Sequence, residues 1–109
     1  MNNNEKVKII ECPYCKCEEN HPIETEVYPI KDFISCKIDN SGLKVETTDE
    51  GKWQRGVSIK IKFWCEEGHI WERELQFHKG STEIYDRLIK ELDIEKLETK
   101  HYPQVIWRR

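Results

Sequence analysis

Lys60-Ile61-Lys62-Phe63-Trp64-Cys65-Glu66-Glu67-Gly68-His69-Ile70-Trp71-Glu72-Arg73-Glu74-Leu75-Gln76-Phe77-His78 decides the fold. Up to Cys65, the residues Val57, Ile59, Ile61, Phe63 and Cys65 occupy every second position, with Ser58, Lys60, Lys62 and Trp64 between them. A period of two is the pattern of a half-buried strand. Trp71, Arg73, Leu75 and Phe77 repeat it downstream. The Cys65-Glu66-Glu67-Gly68-His69 segment between the arms reads as a tight turn, and Gly68 is free to take a positive φ there. A thiol and an imidazole on one turn are half of a tetrahedral metal site.

The other half is expected at Cys12-Pro13-Tyr14-Cys15, where Pro13 bends the chain between two thiols. Four ligands from two turns, Cys12, Cys15, Cys65 and His69, would make a closed structural zinc site. The segment between the turns would form the sheet that joins them. A local rival set is Cys12, Cys15, Cys17 and His21, which would leave Cys65 and His69 without a role. Cys36 falls on the apolar side of its own strand, as a core cysteine does.

Cys-Pro-x-Cys together with Trp-Cys-x-x-Gly-His-x-Trp resembles the zinc-ribbon and treble-clef proteins. The resemblance covers about eight residues at each knuckle, and it implies the same four ligands. The order of the two knuckles is the reverse of the usual one. Lys16 stands where a Gly often follows the second Cys. Small charged ribbons of this kind look like accessory proteins of bacteria, phages or mobile elements.

Alternation and turn residues extend the β reading to both sides. Val7, Ile9 and Ile10 suggest a short strand into Cys12. Ile23–Tyr28 alternates, and Pro29 marks a bend or an edge. In the next strand Ile34, Cys36 and Ile38 share a face, and Asp39-Asn40-Ser41-Gly42 turns the chain into Leu43–Thr47. Beyond Lys79-Gly80, Ser81 or Thr82 would cap a helix whose apolar stripe is Ile84, Tyr85, Leu88, Ile89 and Leu92. Glu83 with Arg87 and Asp86 with Lys90 fit its wet side. Gln104–Trp107 could form a final strand. The expectation is a single α+β, β-rich domain over residues 1–109, an antiparallel sheet with a zinc-ribbon-like knuckle pair and one C-terminal helix.

Composition narrows the function. The 109 residues are 36% charged, well above the usual quarter, with a net charge of −3. That balance gives no general pull toward nucleic acid or anionic membranes. Four Trp, four Tyr and three Phe argue against disorder. No run is long and apolar enough for a membrane span, and the first residues lack an apolar signal core. Five cysteines, an odd number, fit a reducing cytoplasm better than a closed disulfide set.

Two further places can carry chemistry. His78, Lys79 and Ser81 before the expected helix could bind an anion at its N-terminus. Lys60, Lys62 and Trp64, with Lys52, Trp53 and Arg55 nearby, could form a basic aromatic face for single-stranded nucleic acid. Against these stand an ordinary capped junction and a solvated sheet face, and both plainer readings are preferred. Neither a Gly-rich phosphate loop nor a His-Glu-x-x-His helix occurs. The expected function is a non-enzymatic, zinc-stabilised interaction module with a protein partner. The alternatives are a metal-dependent hydrolase or nuclease using His78, His101 and carboxylates, and a nucleic-acid-binding ribbon.

Overall fold

A computed structural model describes residues 4–31, 34–47, 57–96, 103, 105 and 106. Six strands, β1 (Asn20–Lys31), β2 (Ile34–Asp39), β3 (Gly42–Thr47), β4 (Ser58–Cys65), β5 (His69–His78) and β6 (Ser81–Glu91), form one sheet in the order β3-β2-β1-β4-β5-β6. All five neighbouring pairs are antiparallel. The β-rich architecture and the antiparallel sheet expected from the alternation are present. No described residue belongs to a helix long and apolar enough to cross a membrane.

Tight turns build the hairpins. At Asp39-Asn40-Ser41-Gly42 the Asp39 carboxylate accepts from the Ser41 amide at 2.8 Å, so the side chain closes the turn locally. The β5–β6 turn places Lys79 at φ 47° and Gly80 at φ 83°. Two successive positive φ values match the strand twist of a two-residue hairpin.

The register sorts the side chains onto two unlike faces. On one, Val45, Cys36, Val27, Ile59 and Leu75 lie side by side across the strands, ending at Ile84. On the other, charges alternate. Lys37 lies 3.6 Å from Glu24 and 4.0 Å from Glu26, and Lys62 lies 3.4 Å from Glu24. Lys60 stands opposite Glu74 and Glu26, and Arg87 reaches Glu74 at 2.8 Å.

The expected helix from Ser81 is strand β6 instead. Its spacing of Ile84, Tyr85, Leu88 and Ile89 suits a helical stripe, but nothing in that spacing accounts for the open edge of β5. Ten residue pairs of β5 and β6 satisfy that edge. The bonds between them are specific: Arg73 Nε donates to Asp86 Oδ1 at 2.8 Å, and Arg73 Nη2 donates to Asp86 Oδ2 at 3.1 Å. Of the charges that would have paired along a helix, Asp86 and Arg87 pair across strands instead, with Arg73 and with Glu72 and Glu74. The helix in the described part is a three-residue 3-10 turn, Ile94–Lys96.

Two other expectations change. Val7–Ile10 is not a strand; Val7 and Ile9 are exposed, and the Ile10 carbonyl accepts from the Asn20 side-chain amide at 2.9 Å. That side-chain bond replaces a ladder partner. Val105 and Ile106 are not in a strand, although the Ile106 amide donates to the Pro22 carbonyl at 2.8 Å. Phe33, Lys52, Trp53, Arg55, His101, Gln104 and Trp107 lie outside the described residues.

The buried apolar residues gather at one end of the sheet: Cys12, Phe63, Trp64, Cys65 and Trp71. Trp71 is fully enclosed, stacks on Phe63 at 4.8 Å between ring centres, and donates its indole N–H to Asn20 Oδ1 at 2.9 Å. That bond satisfies the one polar atom of a large buried side chain. The N-terminal turn packs on this end, with Cys15 and Cys17 against the cluster.

Candidate metal centre

Both turns have a backbone suited to presenting their ligands inward. In the first, the Lys16 amide donates to the Cys12 carbonyl at 2.9 Å, and the Cys12 amide donates to the Cys17 carbonyl at 2.8 Å. Lys16 sits at φ 66°, the left-handed position usually given to Gly. The lysine that departs from the ribbon pattern in sequence thus adopts the conformation a glycine would. In the second turn Gly68, at φ 103°, donates its amide to the Cys65 carbonyl at 2.9 Å. Few side chains tolerate that φ, so this glycine is required by the turn.

Two backbone bonds tie the turns to the sheet and to each other. The Glu66 amide donates to the Glu19 carbonyl at 3.1 Å. The Leu92 amide donates to the Gly68 carbonyl at 2.7 Å, just past the end of β6. Cys65 ends β4 and His69 starts β5, so the hairpin itself sets their separation.

The four expected ligands come together. One donor atom from each of Cys12, Cys15, Cys65 and His69 lies within 4.8 Å of all the others. Cys15 Sγ is 3.6 Å from Cys65 Sγ. His69 Nδ1 is 3.5 Å from Cys65 Sγ and 3.8 Å from Cys12 Sγ. A tetrahedral ion with metal–sulfur bonds of about 2.3 Å and metal–nitrogen bonds of about 2.0–2.1 Å needs edges of about 3.5–3.8 Å. These residues could therefore hold a metal ion. Cys12 and Cys65 are fully buried, and Cys15 and His69 are partly so.

The site's electrostatics point the same way. Burial pushes the Cys65 thiol up to about 12, more than the amides of His69 and Glu67 pull it down. Burial likewise raises Cys15, against a bond from the Cys17 backbone that lowers it. Without a cation, Cys15 and Cys65 favour the protonated thiol, so an incoming metal must displace those protons.

His69 has a partner behind it that sequence reasoning missed. Its Nε2 lies 3.4 Å from Glu91 Oε1, while Nδ1 faces the thiols. A carboxylate on the outer ring nitrogen fixes the tautomer and orientation of a ligating imidazole. Glu91 is visible as such only once β6 is a strand, because register sets it opposite His69.

The rival ligands stand apart. Cys17 accepts from the Glu19 amide through Sγ at 3.4 Å and is not in the four-residue group. His21 lies on the opposite face, with Nε2 3.1 Å from Glu66 Oε1 and its ring 5.4 Å from that of Trp64. Trp64 is 9% exposed, and Lys60 and Lys62 are flanked by the glutamates of β1 and β5. Lys79 and Ser81 sit at a hairpin turn, so the helix N-terminus that motivated an anion site there is missing; the His78 side chain lies outside the described residues.

Comparison with protein-family models, curated proteins and solved structures finds no match for this chain.

Proposed function

We propose that Cys12, Cys15, Cys65 and His69 hold a structural zinc ion, and that the chain is a non-enzymatic interaction module that binds protein. The observation that carries the zinc reading is the mutual approach of three thiols and one imidazole nitrogen, all within 4.8 Å. Three sulfurs and a nitrogen are a soft donor set, which favours zinc over magnesium or calcium. Four protein ligands fill a tetrahedron and leave no position for an activated water, as a hydrolytic zinc requires. The ion would then supply folding energy rather than chemistry.

A protein partner is supported by the unlike faces of the sheet. The charged face is internally paired, and its indole is packed beneath His21 rather than offered to a base. The apolar face leaves large side chains exposed on its outer strands.

Elemental analysis of the purified chain tests the metal. One zinc per chain in the wild type, lost in Cys65→Ala, is the expected result. Stoichiometric zinc that survives Cys65→Ala would remove the two-turn site. Salt-sensitive binding of an oligonucleotide would favour the nucleic-acid reading instead.

A further inference from the structure

The apolar face continues across the whole sheet, away from the thiol cluster. Leu43 and Val45 on β3 are 64% and 61% exposed, and Ile84 on β6 is 60% exposed. A sheet with one apolar face is stable when a second layer covers it. For these side chains the described residues provide none. The radius of gyration is 15.9 Å, against about 13 Å for a compact chain of this length. Among the described residues the strands form a single layer.

We propose that the second layer is another copy of this chain, packed apolar face to apolar face in a two-fold dimer. This rests on the reading above that the face docks protein, and it names the partner. Six strands at about 4.8 Å spacing and about six residues at about 3.3 Å each outline roughly 500–600 Å² of flat face. Side-chain relief brings the accessible area toward the roughly 800 Å² per partner of a standard interface. It also stands at the upper end of the roughly 300–600 Å² that a monomer leaves contiguous.

Charge favours a copy over a foreign surface. Beyond Glu91, which pairs with His69 beside the thiol cluster, the charged side chains among the described strand residues of this face are Arg73 and Asp86, and they neutralise each other at 2.8 Å. A neutral apolar face offers no sign for an acidic or basic partner to match, but it is complementary to itself, as a two-fold interface requires. The edges are less suited to pairing. β6 carries Glu83, Asp86, Arg87, Lys90 and Glu91, and β3 carries Lys44 and Glu46. Charged edge strands resist the addition of another strand.

Sedimentation equilibrium of the zinc-loaded full chain, from low to high micromolar concentration, tests this. The expected mass is two chains for the wild type. It is one chain for Val45→Lys and Ile84→Lys, each with its zinc content unchanged. A wild-type dimer that both variants keep overturns the face assignment, with the edges as the remaining contact. A wild-type monomer at every concentration overturns the second copy. In that case a hydrophobic fluorescent dye separates the two readings: bright dye leaves the docking face standing, and dark dye removes it as well. If a lysine variant fails to fold, concentration-dependent hydrogen exchange of the wild type replaces it. Slower exchange across β3 and β6 at high concentration supports the dimer, and unchanged exchange overturns it.

Discussion

The two ends of this sheet are built on different physics. Where the β4–β5 turn meets the N-terminal turn, Trp71, Cys12 and Cys65 are fully enclosed, and backbone bonds hold two turns around three thiols and an imidazole. At the outer strands β3 and β6 every described residue is exposed. Those strands are held by ladder bonds and by ion pairs such as Arg73–Asp86. The thiol end carries its own small core. The outer strands are regular in backbone, and the described residues lay no apolar cover on them.

The strongest way to break the contrast is to remove the proposed metal with a chelator. Chelation is expected to abolish cooperative unfolding, because a structural zinc is worth about 10–16 kcal/mol in small zinc domains, as much as a whole domain's stability. Near- and far-ultraviolet circular dichroism during a melt, with and without chelator, reads this. Retention of the same melting temperature would mean that the sheet end does not need the ion. Acid acts in the same direction, since protons compete for the thiols. In the metal-free chain the raised Cys65 gives stability below the ordinary thiol pKa of 9.0, lost as pH climbs toward about 12.

Next in size is Trp71→Ala, expected to cost about 3–5 kcal/mol in urea titration, since it empties the most enclosed aromatic site. An effect below about 1 kcal/mol would show that the thiol end is not the core. Smaller again is Arg87→Met, which removes the guanidinium from the nearly buried Glu74 carboxylate. Burial pushes that carboxyl up, but the Ser58 hydroxyl and the Arg87 guanidinium outweigh it and hold it below its usual range. Its contribution is therefore full above the ordinary carboxyl pKa and lost as pH falls below it. The wild type should lose more stability on acidification than Glu74→Gln, and equal losses would deny Glu74 that role.

A finer test concerns Glu91. Glu91→Ala is expected to weaken metal binding by about tenfold in chelator competition while leaving the fold intact. No change would show that the His69 ring is oriented by its turn alone. At the small end, Lys44→Ala on β3 should alter monomer stability by less than about 0.5 kcal/mol, as exposed edge substitutions do.

Sequence alone determined the local parts. Five of the six strands follow from alternation and turn residues, because a half-buried strand writes its two faces directly into a period of two. The four-residue group that could hold a metal is legible for a similar reason: Cys12-x-x-Cys15 and Cys65-x-x-x-His69 each bring two donors together within one turn. Tertiary structure decided the rest. Whether Ser81–Glu91 coils or extends depends on the unpaired edge of β5 and on Arg73 reaching Asp86, neither of which the spacing within that segment contains. Lys16 at positive φ hides behind a residue type that seldom goes there, and only the bonds closing its turn place it so. Glu91 behind His69, and the apolar face shared by six strands, arise from register. Register is a relation between segments distant in sequence, and local pattern cannot carry it.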